Sequence, residues 1–214
     1  MKPQTTLVLV LLLSASFSGA KQNRHRHGRQ ADACGQGCAA TPAVKADAKL
    51  TEADARHLLY LREEEKLARD VYNAMAKLYD QRVFTNIPRA EQHHMDAVLG
   101  LLTAYGLEDP VKEKAGAFSD AELQKLFDAL VERGSISRMD AYLVGALIEE
   151  VDILDLQEAI GQTQNENIRS VLEALEGGSK RHLNAFVRNY ESVSGKTYAA
   201  QKMPQAEVDA ILGK

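Results

Sequence analysis

Glu91 and His94 stand three residues apart in a stretch where Ile87, Val98, Leu101 and Tyr105 recur at helical spacing. Residues three or four apart share a helix face. This acid and this imidazole therefore fall on the apolar side, while Gln92, His93 and Asp96 take the opposite one. A carboxylate and an imidazole on adjacent turns can bind one metal ion. The ordinary reading of such a pair is a solvated surface, and its apolar phase argues against that reading.

Three other segments offer matching chemistry. His182 lies in line with Leu175 and Phe186, with Ser179 one turn earlier; a lone inward histidine is also the pattern of a hydrogen-bonded core residue. Glu149 and Glu150 are adjacent acids on a helix. A helical wheel puts Glu150 near the centre of the stripe formed by Met139, Leu143, Ala146, Leu154 and Gln157, with Glu149 at its edge. Glu63, Glu64 and Glu65 form a run of the sort usually found on surfaces, yet Glu64 and Glu65 flank the apolar face on either side, and the wheel does not choose between them. Each candidate falls near the middle of its helix, so four helices can bring them to one level. Unpaired carboxylates there would be costly, and a divalent cation removes the cost.

The elements that must position these groups are helices. Thr51-x-x-Asp54 resembles a capping box and predicts a first helix to about Tyr79. After a link over 80–86, Pro88 suits the first turn of a second helix, which Gly106 ends. About thirty residues follow with one short helix, capped by Ser119, stapled by Phe118 and closed by Gly134. A third long helix runs from Ser137 to Gly161 and a fourth from about Glu166 to Glu191; Pro204 starts one further turn in the tail. Two short links make two antiparallel hairpins, and the long middle connection crosses between them. The expected fold is all-α, a ferritin-like four-helix bundle with one long crossover containing a short helix.

The chain has 214 residues, 45% of them hydrophobic, with no Trp and 5 Pro, which suits one helical domain. A formal charge of −4 argues against a nucleic-acid partner. Lys2, the apolar run Leu7 to Leu13 and the small residues Ser18-Gly19-Ala20 read as a signal peptide over 1–20, cleaved after Ala20. The run is too short to span a bilayer and no later one replaces it. The expected location is extracytoplasmic, periplasmic or secreted. Residues 21–49 lack apolar periodicity and read as a disordered basic linker. Cys34 and Cys38 within it could close a small disulfide loop, or bind a soft metal with His25 and His27; the plainer reading is a flexible linker. The bundle is expected over 50–192 and a C-terminal tail over 193–214.

Several stretches resemble known proteins. Glu65-x-x-Ala68-Arg69-x-x-Tyr72 resembles the first metal-binding helix of rubrerythrins, and Glu91-x-x-His94 the second helix of di-iron carboxylate proteins. More closely, residues 63–72, 145–150 and Gly178-Ser179-x-x-His182-Leu183 resemble the ferritin-like family called domain of unknown function 2202. The superfamily implies two iron or manganese ions bridged by carboxylates. On that resemblance Glu65, Glu91, His94 and His182 match ligand positions, with Glu150, or Glu149 in second place, from the third long helix. The departure is Ser179, where the superfamily often has Glu. It leaves three options: two metals with a water in the gap, one metal, or a vestigial site.

Two functional readings follow. One is an exported metalloprotein with oxidase or peroxidase chemistry or ferrous-iron oxidation; Tyr72, two turns from Glu65, could serve it as a redox or hydrogen-bonding group, though its plainer role, and the preferred one, is a core aromatic. The other is a non-catalytic helical interaction module with a degenerate metal site, which Ser179 favours. Cys34 and Cys38 lack rubredoxin-like spacing, so electron delivery of that kind is unsupported. Homo-oligomerisation stays open.

Overall fold

The computed structural model describes residues 49–214. The expected signal peptide, the linker and the Cys34/Cys38 pair lie outside the described residues, but for the linker's last position. Among the described residues the protein is all-helical: α1 (Glu52–Leu78), α2 (Arg82–Ala104), α3 (Ala121–Gly134), α4 (Arg138–Gln162), α5 (Glu166–Ser194) and α6 (Gln205–Leu212). None of these helices is long and apolar enough to cross a membrane.

Local chemistry sets most boundaries. Thr51 and Asp54 form a full capping box at the start of α1. Ser137 caps α4 by accepting from the Asp140 amide, and Asn165 caps α5 by accepting from Asn167 and Ile168. Gly195 ends α5 in the left-handed region at φ 67°, which costs a residue without a Cβ nothing. Two expectations shift. α2 begins at Arg82, so Pro88 lies inside the helix rather than in its first turn. Losing one backbone bond there costs roughly 3 kcal/mol, and the burial of Val83, Phe84 and Ile87 in the added turns offsets it. The cap of α3 is Asp120, not Ser119. The Ser119 amide instead donates to the Glu63 carboxylate of α1.

α1 packs on α2 and α4, and α5 packs on α4 and α2, so the four long helices close a ring. One layer of the interior is aliphatic, built around Leu58, Leu61, Val98, Leu101, Leu156 and Leu172. Another is aromatic: Phe84 stacks on Tyr142 and meets Phe186, which meets Tyr72. By sequence position along each of the four long helices, the acids and histidines of the interior fall between these two layers.

Two helices are buried on more than one face. The outer side of α1 is covered by the connection between α2 and α3. Lys66, fully buried, donates to Asp70 at 2.6 Å and to the Lys114 and Ala117 carbonyls at 3.2 Å. Arg62 pairs with Asp109 at 2.8 Å. α4 is buried almost continuously from Ala141 to Ile153, packed by α1, α3 and α5 and reached by the C-terminal tail. That tail is more than the expected single turn, since α6 has 8 residues and Tyr198, Met203 and Val208 are buried.

Candidate metal centre

Helical geometry turns each side chain about 100° from the last, and the three acids of α1 go three ways. Glu63 accepts from the amides of Ser119 (2.5 Å) and Asp120 (2.9 Å), tying down the crossover. Glu64 faces Asp155 and Asp152 of α4. Glu65 faces α2, where its Oε2 lies 3.2 Å from His94 Nδ1. All three are buried. The surface reading of this run fails because Glu64 and Glu65 face neighbouring helices, and the crossover covers the remaining side, where Glu63 lies.

α2 and α5 complete the centre. His94 Nδ1 is 3.0 Å from Glu91 Oε2, and His182 Nδ1 is 2.9 Å from Glu91 Oε1. Glu91 thus offers one oxygen to each imidazole. Glu149 Oε2 lies 3.6 Å from His182 Nδ1. The two rings are nearly parallel, with centroids 5.5 Å apart. Glu65, Glu91 and His94 each bring one donor atom within 4.8 Å of the others, and so do Glu91, Glu149 and His182. The two triads share Glu91.

Glu149 and Glu150 separate cleanly. Glu149 joins the cluster, where the Tyr72 hydroxyl donates to its Oε1 at 2.5 Å. Glu150, the preferred ligand of the sequence reading, points to the C-terminal tail. It accepts from the Tyr198 hydroxyl at 2.6 Å and from the amides of Gln201, Lys202 and Met203. The wheel misled because α4 has two buried faces, and a single inward stripe does not exist on such a helix.

The electrostatics are those of a crowded dry site. Burial and the nearby Glu91 charge push the Glu149 carboxyl up to about 7, against the pull of His182 and Tyr72. Burial raises Glu65 too, partly offset by His94. Burial would also raise Glu91, but the charges of His182 and His94 hold it below the usual carboxylate range. Burial disfavours charge on the imidazoles; Glu65 and Glu91 nonetheless hold His94 well above its ordinary value, and Glu91 and Glu149 hold His182 at about 10. Without a cation, protons on the histidines and on the raised carboxyls reduce the charge of the cluster.

That balance leaves atoms unpaired. Glu65 Oε1, Glu91 Oε1 and His182 Nδ1 are buried without a hydrogen-bond partner. The last two are 2.9 Å apart, but out of line for a hydrogen bond. Carboxylate oxygens and imidazole nitrogens converging at this spacing could hold a metal ion.

Over residues 54–214 the chain matches the family described as an uncharacterized protein domain, DUF2202. It belongs to the DUF2202 family. The uncharacterized protein MJ0754 of Methanocaldococcus jannaschii is 43% identical over 164 residues, 76% of this chain and 88% of its own length. A crystal structure of that hypothetical protein, from Methanococcus jannaschii DSM 2661, superposes with a TM-score of 0.76 at 41% identity, covering 78% of this chain and 96% of that one. The DUF2202 match starts within α1 and runs through the tail that Glu150 anchors.

One acid of this DUF2202 chain escaped the sequence reading. Asp152, one turn beyond Glu149 on α4, is buried and takes a short hydrogen bond from the Ser179 hydroxyl. Its signal was available: an Asp three residues after a candidate ligand, inside an otherwise apolar run.

Proposed function

We propose that this is a ferritin-like metal-binding protein of the di-iron or di-manganese carboxylate kind, exported from the cytoplasm, with its centre between the four long helices. The observation that carries the reading is Glu91, shared between two carboxylate–histidine triads. The pairing of helices and the long connection holding α3 support the ferritin-like topology. Glu65, Glu91 and His94 would hold one ion; Glu91, Glu149 and His182 would hold the other. Bound iron supplies one-electron chemistry towards dioxygen or peroxide.

The protein's own part is positioning and exclusion of water. Tyr72 fixes one oxygen of Glu149 and leaves the other towards His182. The aliphatic and aromatic layers keep the ligands in a low-dielectric setting, where charge interactions are strong. Its export rests on the run Leu7 to Leu13 and the small residues before Lys21.

The test is metal content. The full chain, purified without chelator and offered ferrous or manganous ion anaerobically, should hold about two ions by plasma mass spectrometry. The double variant Glu91→Ala/His94→Ala should hold none. A wild-type chain that takes up neither metal would sink the reading. Ser179, standing where an acid is expected, supports a second reading in which the same fold binds metal or a partner without turnover. A metal-loaded chain that consumes neither oxygen nor peroxide would select it. N-terminal sequencing of the secreted protein checks export.

A further inference from the structure

The two histidine helices are related but unequal. On α2, Glu91 precedes His94 by three residues; on α5, Ser179 precedes His182 by three. The rings of His94 and His182 lie against one another, so Ser179 holds the place on α5 that Glu91 holds on α2. Glu91 reaches both histidines from its place. A serine is too short to do the same.

What Ser179 does instead is visible. Its hydroxyl meets one oxygen of Asp152, and also lies 3.1 Å from the Leu175 carbonyl of its own helix. The second Asp152 oxygen, Oδ1, is buried with no partner, and the residue as a whole is 5% exposed. Asp152 follows Glu149 by one helical turn and so shares its face. Burial together with the charges of Glu65, Glu149 and Glu91 holds its carboxyl well above the usual range, which places it in the field of carboxylates from three helices.

We propose that Asp152 is a metal-binding carboxylate of this centre, replacing from α4 the acid that α5 lacks at Ser179. The inference rests on the metal-binding reading above. Ser179 is then a positioning residue: by holding Oδ2 it leaves Oδ1, buried and without a partner, as the oxygen that would bind, the role an outer hydrogen-bond partner plays for a ligating carboxylate. A protonated Asp152 serving only as a core hydrogen-bonding group would leave the buried Oδ1 unexplained.

The experiment is titration of the full chain with manganous ion, followed by calorimetry and by the paramagnetic spectrum, which separates a coupled pair from a single ion. Wild type should bind two ions with a coupled spectrum. Asp152→Asn, close to isosteric, should bind one ion, or the second at least about tenfold more weakly, with an uncoupled spectrum. Adding Ser179→Glu to Asp152→Asn should restore the second ion, and this rescue separates a lost ligand from a damaged fold. Two ions bound by Asp152→Asn with unchanged affinity, or a double variant that stays at one, would overturn the assignment while leaving the metal reading intact. A wild type that binds no manganese would overturn both.

Discussion

A Cβ atom placed on Gly178 of α5 would clash with the His94 ring of α2, too close to Nε2 and 2.6 Å from Cε1. The absence of a side chain at 178 is thus what lets the histidine of one hairpin lie against the helix of the other. Gly178→Ala should weaken metal binding at least tenfold and lower stability. Ala is ordinarily the better helix former by about 1 kcal/mol, so a loss at this site isolates the contact. Gly100→Ala in α2 is the control. Nothing lies within 4 Å of its Cβ, and it should raise stability by up to about 1 kcal/mol with metal content unchanged. Denaturant melts and metal analysis of the two variants check this; a stabilising Gly178→Ala with normal metal would refute it.

The reach of the sequence has a physical boundary, and Glu91 and Glu149 lie on either side of it. A cap such as Thr51 with Asp54 is read easily because both partners are a few residues apart. Glu91, His94 and His182 are legible because α2 and α5 each bury one main face, so hydrophobic period reports direction. The acids of α1 and α4 are not. Their outer faces are covered by segments distant in sequence, the crossover over Lys66 and the tail over Glu150. A helix buried on two sides has no phase to read, so its pattern favours Glu150 over Glu149 and gives Asp152 no direction.

Glu149 and Glu150 should therefore fail in opposite ways. Glu150→Gln puts an amide against the Tyr198 hydroxyl and three backbone amides that now donate to a carboxylate. Bonds to charged acceptors contribute about 1.5–3 kcal/mol each, and a variant that keeps some of them should lose about 2–4 kcal/mol. Its tail should become open to limited proteolysis while metal content stays whole. Glu149→Gln should do the reverse, losing metal and leaving the tail protected. Metal loss in Glu150→Gln without tail cleavage would contradict the division.

Glu63 should matter to the crossover alone. Its two oxygens accept from the Ser119 and Asp120 amides just ahead of α3. Glu63→Gln replaces one acceptor by a donor facing an amide, and should cost about 1–3 kcal/mol. Hydrogen exchange should speed up in the segment before α3, with metal binding retained. Equal exchange in wild type and variant would show that the bond does not hold the segment.

The last prediction concerns pH, and its sign follows from the proton count. In the metal-free fold His182 is held at about 10 against an ordinary 6.5, because Glu91 and Glu149 overcome the effect of burial. A raised histidine contributes stability that is complete below about 6.5 and fades as pH climbs towards 10. His94 acts in the same direction. Glu149, pushed up to about 7 from 4.5 by burial and Glu91, also favours the protonated fold, and its contribution fades between those values. Glu91 opposes them, since its carboxylate is held low by the two imidazoles, but its contribution is lost only in acid. The metal-free chain should thus melt lower at pH 8.5 than at pH 6. Metal ions compete for the same atoms, so their binding releases protons and tightens as pH rises. The gain in Tm on adding manganous ion should be larger at pH 8.5 than at pH 6, read by scanning calorimetry with and without chelator. A metal-free Tm that stays flat or rises across this window would mean the histidines are neutral in the fold, and that the buried carboxylates are balanced some other way.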